Sequence, residues 1–219
     1  VLPNSNFGVN EILIHPSNAN LVFAATDKGL YKSLDGGSNW VQQFTDASYD
    51  IKANTGNSSI LYLVKHNGSN LNCDFLKSPD TGQTWIAQTT GWHTSTDAAR
   101  NDGGARIAVT PADPNRVYAY LIGESKPNDL GYIGVYRSND GGTTWNLPNS
   151  PVGGPYTTTH VNLAIGTSTW LYHQGFYNCA LMASPTDPNV IFVGGLNVYR
   201  STDGGATFTS VSGYVGGPL

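Results

Sequence analysis

Trp92, His93, Asp97, Arg100 and Asp102 crowd into one connecting stretch, residues 89–104, and are the side chains of this 219-residue chain best suited to chemistry on a ligand. An aromatic ring beside carboxylates and a guanidinium has the composition of a sugar site. The ring covers the apolar face of a pyranose, and the charged groups hydrogen-bond its hydroxyls. Asp97 and Asp102 are the one carboxylate pair we nominate for hydrolysis. An inverting glycosidase holds its two carboxyls roughly 6.5–9.5 Å apart across the sugar, and sequence spacing does not place them. The plainer reading of the same stretch is a solvated loop with one packed Trp. A second long stretch, 149–178, carries His160, Trp170, Tyr172, His173, Phe176 and Tyr177, of which Trp170–Tyr172 and Phe176–Tyr177 read as strand and core rather than a binding platform; a third spans 123–131. No Ser/His/Asp or Cys/His nucleophile motif occurs. Cys73 and Cys179 have no zinc-ligand spacing, and a disulfide between them and two separate thiols both stay open. No motif calls for a cofactor or a metal.

The elements that must hold such loops are written in a repeat. Ser33-Leu-Asp35-Gly-Gly37-Ser-Asn-Trp40, Ser78-Pro-Asp80-Thr-Gly82-Gln-Thr-Trp85, Ser138-Asn-Asp140-Gly-Gly142-Thr-Thr-Trp145 and Ser201-Thr-Asp203-Gly-Gly205-Ala-Thr-Phe208 share the form S-x-D-x-G-x-[TN]-[WF]. Their upstream context repeats too. An apolar stretch (Ile12–Ile14, Ile107–Val109, Ala180–Ala183) leads into a Pro/Asn/Asp/Ser turn, then a second apolar stretch (Leu21–Ala25, Ile60–Val64, Val117–Ile122, Val190–Val193). A third stretch alternates Tyr or Phe with Lys or Arg and runs straight into the box, and a short fourth follows it.

Each unit therefore reads as a four-stranded antiparallel meander. The first two strands are apolar without alternation, which implies burial on both faces. Four-stranded sheets stacked face to face around an axis satisfy this, so the fold class is all-β, a β-propeller with blades over about 11–46, 50–90, 104–150 and 176–212. In the box, a short Asp side chain accepts hydrogen bonds from backbone N–H groups just ahead of it. Gly supplies the backbone angles, and Trp or Phe folds back over the hairpin. Every part serves a stable turn. A calcium loop is excluded by ligand count, since each box offers one carboxylate and calcium takes six to eight oxygens.

Composition agrees. Charged residues are 12% against a usual share of roughly 25%, while aromatics reach 11% and a single Met is present. This excludes a disordered chain and disfavours a helical bundle. The net charge of −4, without a Lys/Arg cluster, speaks against nucleic acid or an anionic membrane as partner. No apolar run approaches the ~18 residues of a membrane span. The start at Val1 fits a processed or partial chain.

These boxes resemble the Asp-box (BNR) repeats of sialidases, of xyloglucan-cleaving glycoside hydrolases with tandem propellers, and of sortilin-type receptor propellers. The stretches His15–Thr26 and Gly175–Gly205 are most similar to secreted Bacteroidetes Asp-box propellers, which often end in a type IX secretion sorting domain. The resemblance implies a propeller of six to ten blades, of which this chain holds four, and an extracellular or cell-surface location. A sialidase would need three arginines on the sialate. Of Arg100, Arg106, Arg116, Arg137 and Arg200, the last two precede boxes on third strands, away from a channel. Glu11 and Glu124 are the only glutamates. The leading expectation is accordingly a non-catalytic, adhesin-like binding module meeting protein or carbohydrate at the cell surface. The alternative is part of a glycoside hydrolase of xyloglucanase or sialidase type. Trp40, Trp85, Trp145 and Phe208 are expected to be buried. The end faces, with Ile12, Ile14, Val22 and Ala24 on one and Leu181, Ile191 and Val193 on the other, are expected to be uncovered within the chain and closed by further blades or another chain.

Overall fold

The computed structural model describes residues 7–68, 72–94, 102–123 (102 and 103 by backbone alone), 131–153, 162–164 and 178–212. Its regular structure there is strand throughout. β1 (Val9–Ile14), β2 (Val22–Thr26), β3 (Gly29–Ser33) and β4 (Val41–Phe44) form one antiparallel sheet in chain order. β5 (Ser48–Ala53), β6 (Leu61–His66), β7 (Cys73–Ser78) and β8 (Ile86–Ala87) form the second. β9 (Asp102–Val109), β10 (Val117–Gly123) and β11 (Tyr132–Ser138) form the third. β12 (Ala180–Ala183), β13 (Ile191–Gly194), β14 (Val198–Ser201) and β15 (Thr209–Ser212) form the fourth. In the third sheet the expected fourth strand shrinks to a single bridge between Arg137 and Asn146. Pro148, two residues on, has no N–H to continue a ladder.

The first strands of successive sheets are neighbours, β1 beside β5, β5 beside β9 and β9 beside β12, whereas β1 and β12 share no comparable contact. The sheets thus converge on their first strands, as blades do around a channel, and the core lies between blades. Phe23, Leu30, Ile51, Leu61 and Leu63 fill the space between blades one and two. Tyr62, Phe75, Trp92, Ile107, Leu121 and Trp145 fill the next. Tyr118, Tyr120, Tyr132, Ile191, Val193 and Phe208 fill the third. Side chains alternate across a strand, so this assignment fixes which residues face outward at the ends. At the first blade Ile12 and Ile14 are exposed, but Val22 and Ala24 are buried, and Phe7 stacks on Tyr31 beside them at 5.7 Å. At the fourth blade the expectation is corrected. Ile191 and Val193 face blade three and are fully buried, with Leu181 packed against them, and the outward row is Met182, Phe192 and Arg200.

The four boxes share one geometry. The Ser Oγ of Ser33, Ser78, Ser138 and Ser201 donates to its Asp Oδ1 at 2.7–2.9 Å and accepts the N–H of Gly37, Gly82, Gly142 or Gly205 at 2.8–2.9 Å. Oδ1 of Asp35, Asp80, Asp140 and Asp203 also accepts a backbone N–H four residues on, and Oδ2 accepts that residue's side chain at 2.6 Å. Each box is tied to its own blade by a backbone bond from the residue after the Asp to the turn between the first and second strands, as in Gly36 N–H to Asn20 O at 2.9 Å. The ring burial is uneven. Trp145 and Phe208 are 6% exposed, but Trp40 and Trp85 are only half-buried, which corrects the uniform expectation. Trp40 and Trp145 donate from Nε1 to the carbonyl of Gly37 and Gly142. Trp85 makes no such bond, and the Gly82 carbonyl accepts from Lys32 of blade one at 3.2 Å.

Candidate functional site

The first three inner strands carry charged residues among apolar ones: Glu11 on β1, Asp50 and Lys52 on β5, and Arg106 on β9. On β5, Lys52 lies between Asp50 Oδ1 at 2.9 Å and Glu11 Oε1 of β1 at 2.6 Å. Asp50 Oδ2 accepts the N–H of Ile107 on β9 at 2.8 Å. From β9, Arg106 donates to the Tyr49 carbonyl of β5 at 2.8 Å and to the Cys179 carbonyl just before β12 at 3.1 Å. One polar ladder thereby links all four inner strands. Its members sit within the inner strands.

Burial differs sharply along the ladder. Asp50 is 1% exposed, and burial raises its pKa against the pull of Lys52 and the Ile107 amide. Burial works against the Lys52 ammonium too, yet Asp50 and Glu11 outweigh it and the pKa is raised. Lys52 is therefore an ammonium at neutral pH, and with Glu11 it keeps about a third of its side chain in water. Burial pushes the Cys179 thiol up to about 12, with Arg106 opposing, so it is no nucleophile at neutral pH. Neither cysteine is bonded to the other. Beside the ladder, Lys65 is held by Asp46 at 3.0 Å, Asp74 at 3.7 Å and the His66 carbonyl at 2.9 Å.

Chemically, the ladder offers a carboxylate and an ammonium to whatever enters the channel, suited to hydrogen-bonding hydroxyl groups. It is not a hydrolytic pair. Glu11 and Asp50 grip the same ammonium, leaving no room between them for the sugar and water of an inverting reaction. Among the described residues no group of three or more His, Cys, Asp and Glu is placed to hold a metal.

The residues nominated from sequence fare differently. Trp92 is buried. Its Nε1 donates to the Cys73 carbonyl at 2.7 Å, and its ring packs on Trp145 at 4.9 Å, Phe75 at 5.4 Å and Tyr136 at 5.6 Å. His93 is buried beside it, with Nδ1 3.3 Å from the Tyr136 hydroxyl. Neither offers an open platform, so the sugar-platform reading of these two gives way to the packed-Trp reading; three aromatic neighbours already cover the ring. Asp97 and Arg100 lie outside the described residues, as does the Asp102 side chain, whose backbone pairs with Gly123 at the start of β9. His160, Trp170, Tyr172, His173, Phe176 and Tyr177 also lie outside them. His15 bridges blades through Nε2 to the Ser58 carbonyl at 2.8 Å. The ladder itself was missed. Its signal is the charge at Glu11, Asp50, Lys52 and Arg106 inside stretches that are apolar in the other units.

The fold and its converging inner strands make this chain part of a β-propeller. No family model matches it. A curated xyloglucanase from Paenibacillus sp. is 28% identical over 95% of the chain, and one from Hypocrea jecorina (strain QM6a) is 31% identical over 59%. The chain spans 21% and 13% of the length of those relatives. Among solved structures, an ancestral GH74 enzyme superposes on 95% of the chain at TM-score 0.63 and 18% identity. The GH74 xyloglucanase from Xanthomonas campestris superposes on 97% at TM-score 0.61 and 20% identity. The chain covers 26% and 31% of these two. The non-catalytic, adhesin-like expectation is corrected by these relatives: both curated proteins aligned with this chain are xyloglucanases.

Proposed function

We propose that these four blades work as part of an extracellular glycoside hydrolase of xyloglucanase type. The observation that carries this reading is the alignment of 95% of the chain with a curated xyloglucanase. The inner strands supply a wall against which a glucan backbone lies, with Glu11 and Lys52 hydrogen-bonding its hydroxyls. The remaining carboxylate candidates of this chain are Asp97 and Asp102, with Arg100 between them. Carbohydrate is then the partner, met outside the cell.

Affinity electrophoresis in gels containing xyloglucan, with an unrelated neutral polysaccharide as control, tests the binding. Retardation by xyloglucan alone, weakened in Glu11→Gln, supports the reading. Release of reducing ends, lost on Asp97→Ala or Asp102→Ala, places the chemistry on that loop. Equal mobility in all gels together with no release of reducing ends overturns it.

A further inference from the structure

Arg116 stands where the other blades carry an aliphatic residue. The residue before it, Asn115, accepts the Gly141 N–H of its own box through its carbonyl, as Asn20, Ser59 and Asn189 accept theirs from Gly36, Thr81 and Gly204. The residues that follow those three are Leu21, Ile60 and Val190. Blade three thus adds a guanidinium to a face that already carries a third-strand cation. There Arg137 pairs with Tyr118, as Lys32 pairs with Phe23 and Lys77 with Tyr62. At the two earlier seams one lysine meets the box of the following blade. Lys32 donates to the carbonyls of Thr81 and Gly82 at 3.1 and 3.2 Å, and Lys77 to Thr143 Oγ1 at 3.3 Å. The seam between blades three and four holds two arginines.

The two guanidiniums converge. A Cβ on Gly204 of the fourth box would stand 2.5 Å from Nη1 of Arg137 and 3.3 Å from Nη1 of Arg116. Arg137 Nη1 donates to the Gly204 carbonyl at 3.1 Å. Arg116 Nη1 donates to the Tyr118 hydroxyl and Asn189 Oδ1, both at 2.9 Å, and lies 3.5 Å from the Pro188 carbonyl. All these acceptors are neutral. Among the described residues the ion pairs are made by Lys52 and Lys65, and neither arginine has a carboxylate partner. The acids nearby are engaged in their own turns. Asp113 accepts the Asn115 N–H at 3.0 Å, Asp187 accepts the Asn189 N–H at 2.9 Å, and Asp203 closes its box. Both arginines are half-buried. Nε of each is buried without a hydrogen-bond partner, whereas Nη2 of each makes no bond to a described residue and is not buried. Like charges taken partly out of water side by side are costly until a counter-charge joins them.

We propose that the Arg116/Arg137 pair is a binding site for an oxyanion at the seam of blades three and four, with Nη2 of both guanidiniums donating to its oxygens. Guanidinium suits this role because it donates to phosphate or carboxylate oxygens from a fixed planar fork and keeps its charge at any working pH. The oxyanion is a free inorganic ion or the carboxylate of an acidic sugar. Bound there, it also ties the blades together, since Arg116 reaches the 184–190 turn of blade four and Arg137 its box.

Thermal unfolding of the purified chain tests this, at constant ionic strength with sodium chloride exchanged for sodium phosphate or sodium galacturonate, and with galactose as the uncharged control. The wild-type midpoint is expected to rise and level off, as for a ligand that binds only the folded chain. A rise with phosphate alone marks an inorganic ion; a rise with galacturonate, with or without phosphate, marks an acidic sugar. Arg116→Val and Arg137→Lys put at each place a residue type that another blade carries there, so both variants are expected to fold. The readout is the anion-dependent rise and not the starting midpoint. Each variant should need about tenfold more anion, or more still, for half of the rise. The proposal is overturned if neither anion lifts the wild-type midpoint above the chloride and galactose controls, if the rise never levels off, or if either variant keeps the wild-type response.

Discussion

Trp145→Ala is the substitution whose cost the structure sets most directly. The ring is 6% exposed, lies 4.6 Å from Phe75 and 4.9 Å from Trp92, and donates to the Gly142 carbonyl at 3.2 Å. A buried Trp removes up to about 250 Å² from water, of which truncation to Ala forfeits roughly 150–200 Å². At about 25 cal/mol per Å² this is roughly 4–5 kcal/mol, in line with the 3–5 kcal/mol typical of Trp truncations. Trp40 occupies the same place in the first box but is only half-buried, and Trp40→Ala should cost about half as much, roughly 2 kcal/mol. Urea unfolding followed by far-ultraviolet circular dichroism measures both as a fall in midpoint at constant slope. If Trp145→Ala costs less than about 1.5 kcal/mol, or no more than Trp40→Ala, the ring does not anchor the interface between blades two and three, and the account of that core is wrong.

Other outcomes follow from the same contacts. Ser78→Ala removes a fully buried hydroxyl that accepts the Gly82 N–H at 2.8 Å and donates to Asp80 at 2.9 Å, and should cost about 1–3 kcal/mol in the same unfolding assay. Lys52→Ala strands the buried Asp50 carboxylate. It should cost about 2–3 kcal/mol, less than a fully buried pair because Lys52 is 28% exposed, and Lys52→Ala with Asp50→Asn should recover most of that loss. The box carboxylates set an acid limit. The Asn39 backbone and side-chain donors hold Asp35 at about 2, and Thr84 holds Asp80 at about 2. At Asp140 burial works upward, but Thr144 outweighs it and the value is again about 2. These folded values lie below the ordinary 3.8, so their stabilisation is full above pH 4 and is lost as pH falls from about 4 through about 2. A midpoint against denaturant that holds constant across that window would refute the box geometry.

The repeat was legible because its causes are local. Ser33 to Trp40 closes its own hairpin through bonds spanning two to four residues, so the pattern S-x-D-x-G announces a turn wherever the chain places it. Continuous apolar stretches such as Val117–Ile122 announce a strand buried on both faces, and that suffices for a propeller. What tertiary structure alone decided depends on which blade stands next to which. The alternation along β13 is the same whichever way it faces, so only packing showed that Ile191 and Val193 meet blade three while Phe192 points away. Trp92 has the composition of a sugar platform until Phe75, Tyr136 and Trp145, brought from three other stretches, close over it. The sequence shows the third-strand cations only as one half of an alternation, whereas in the fold Lys32 and Arg137 reach carbonyls 49 to 67 residues away. Glu11, Lys52, Asp50 and Arg106 are scattered over some hundred residues of sequence. They become one ladder only because each blade brings its first strand to the same axis.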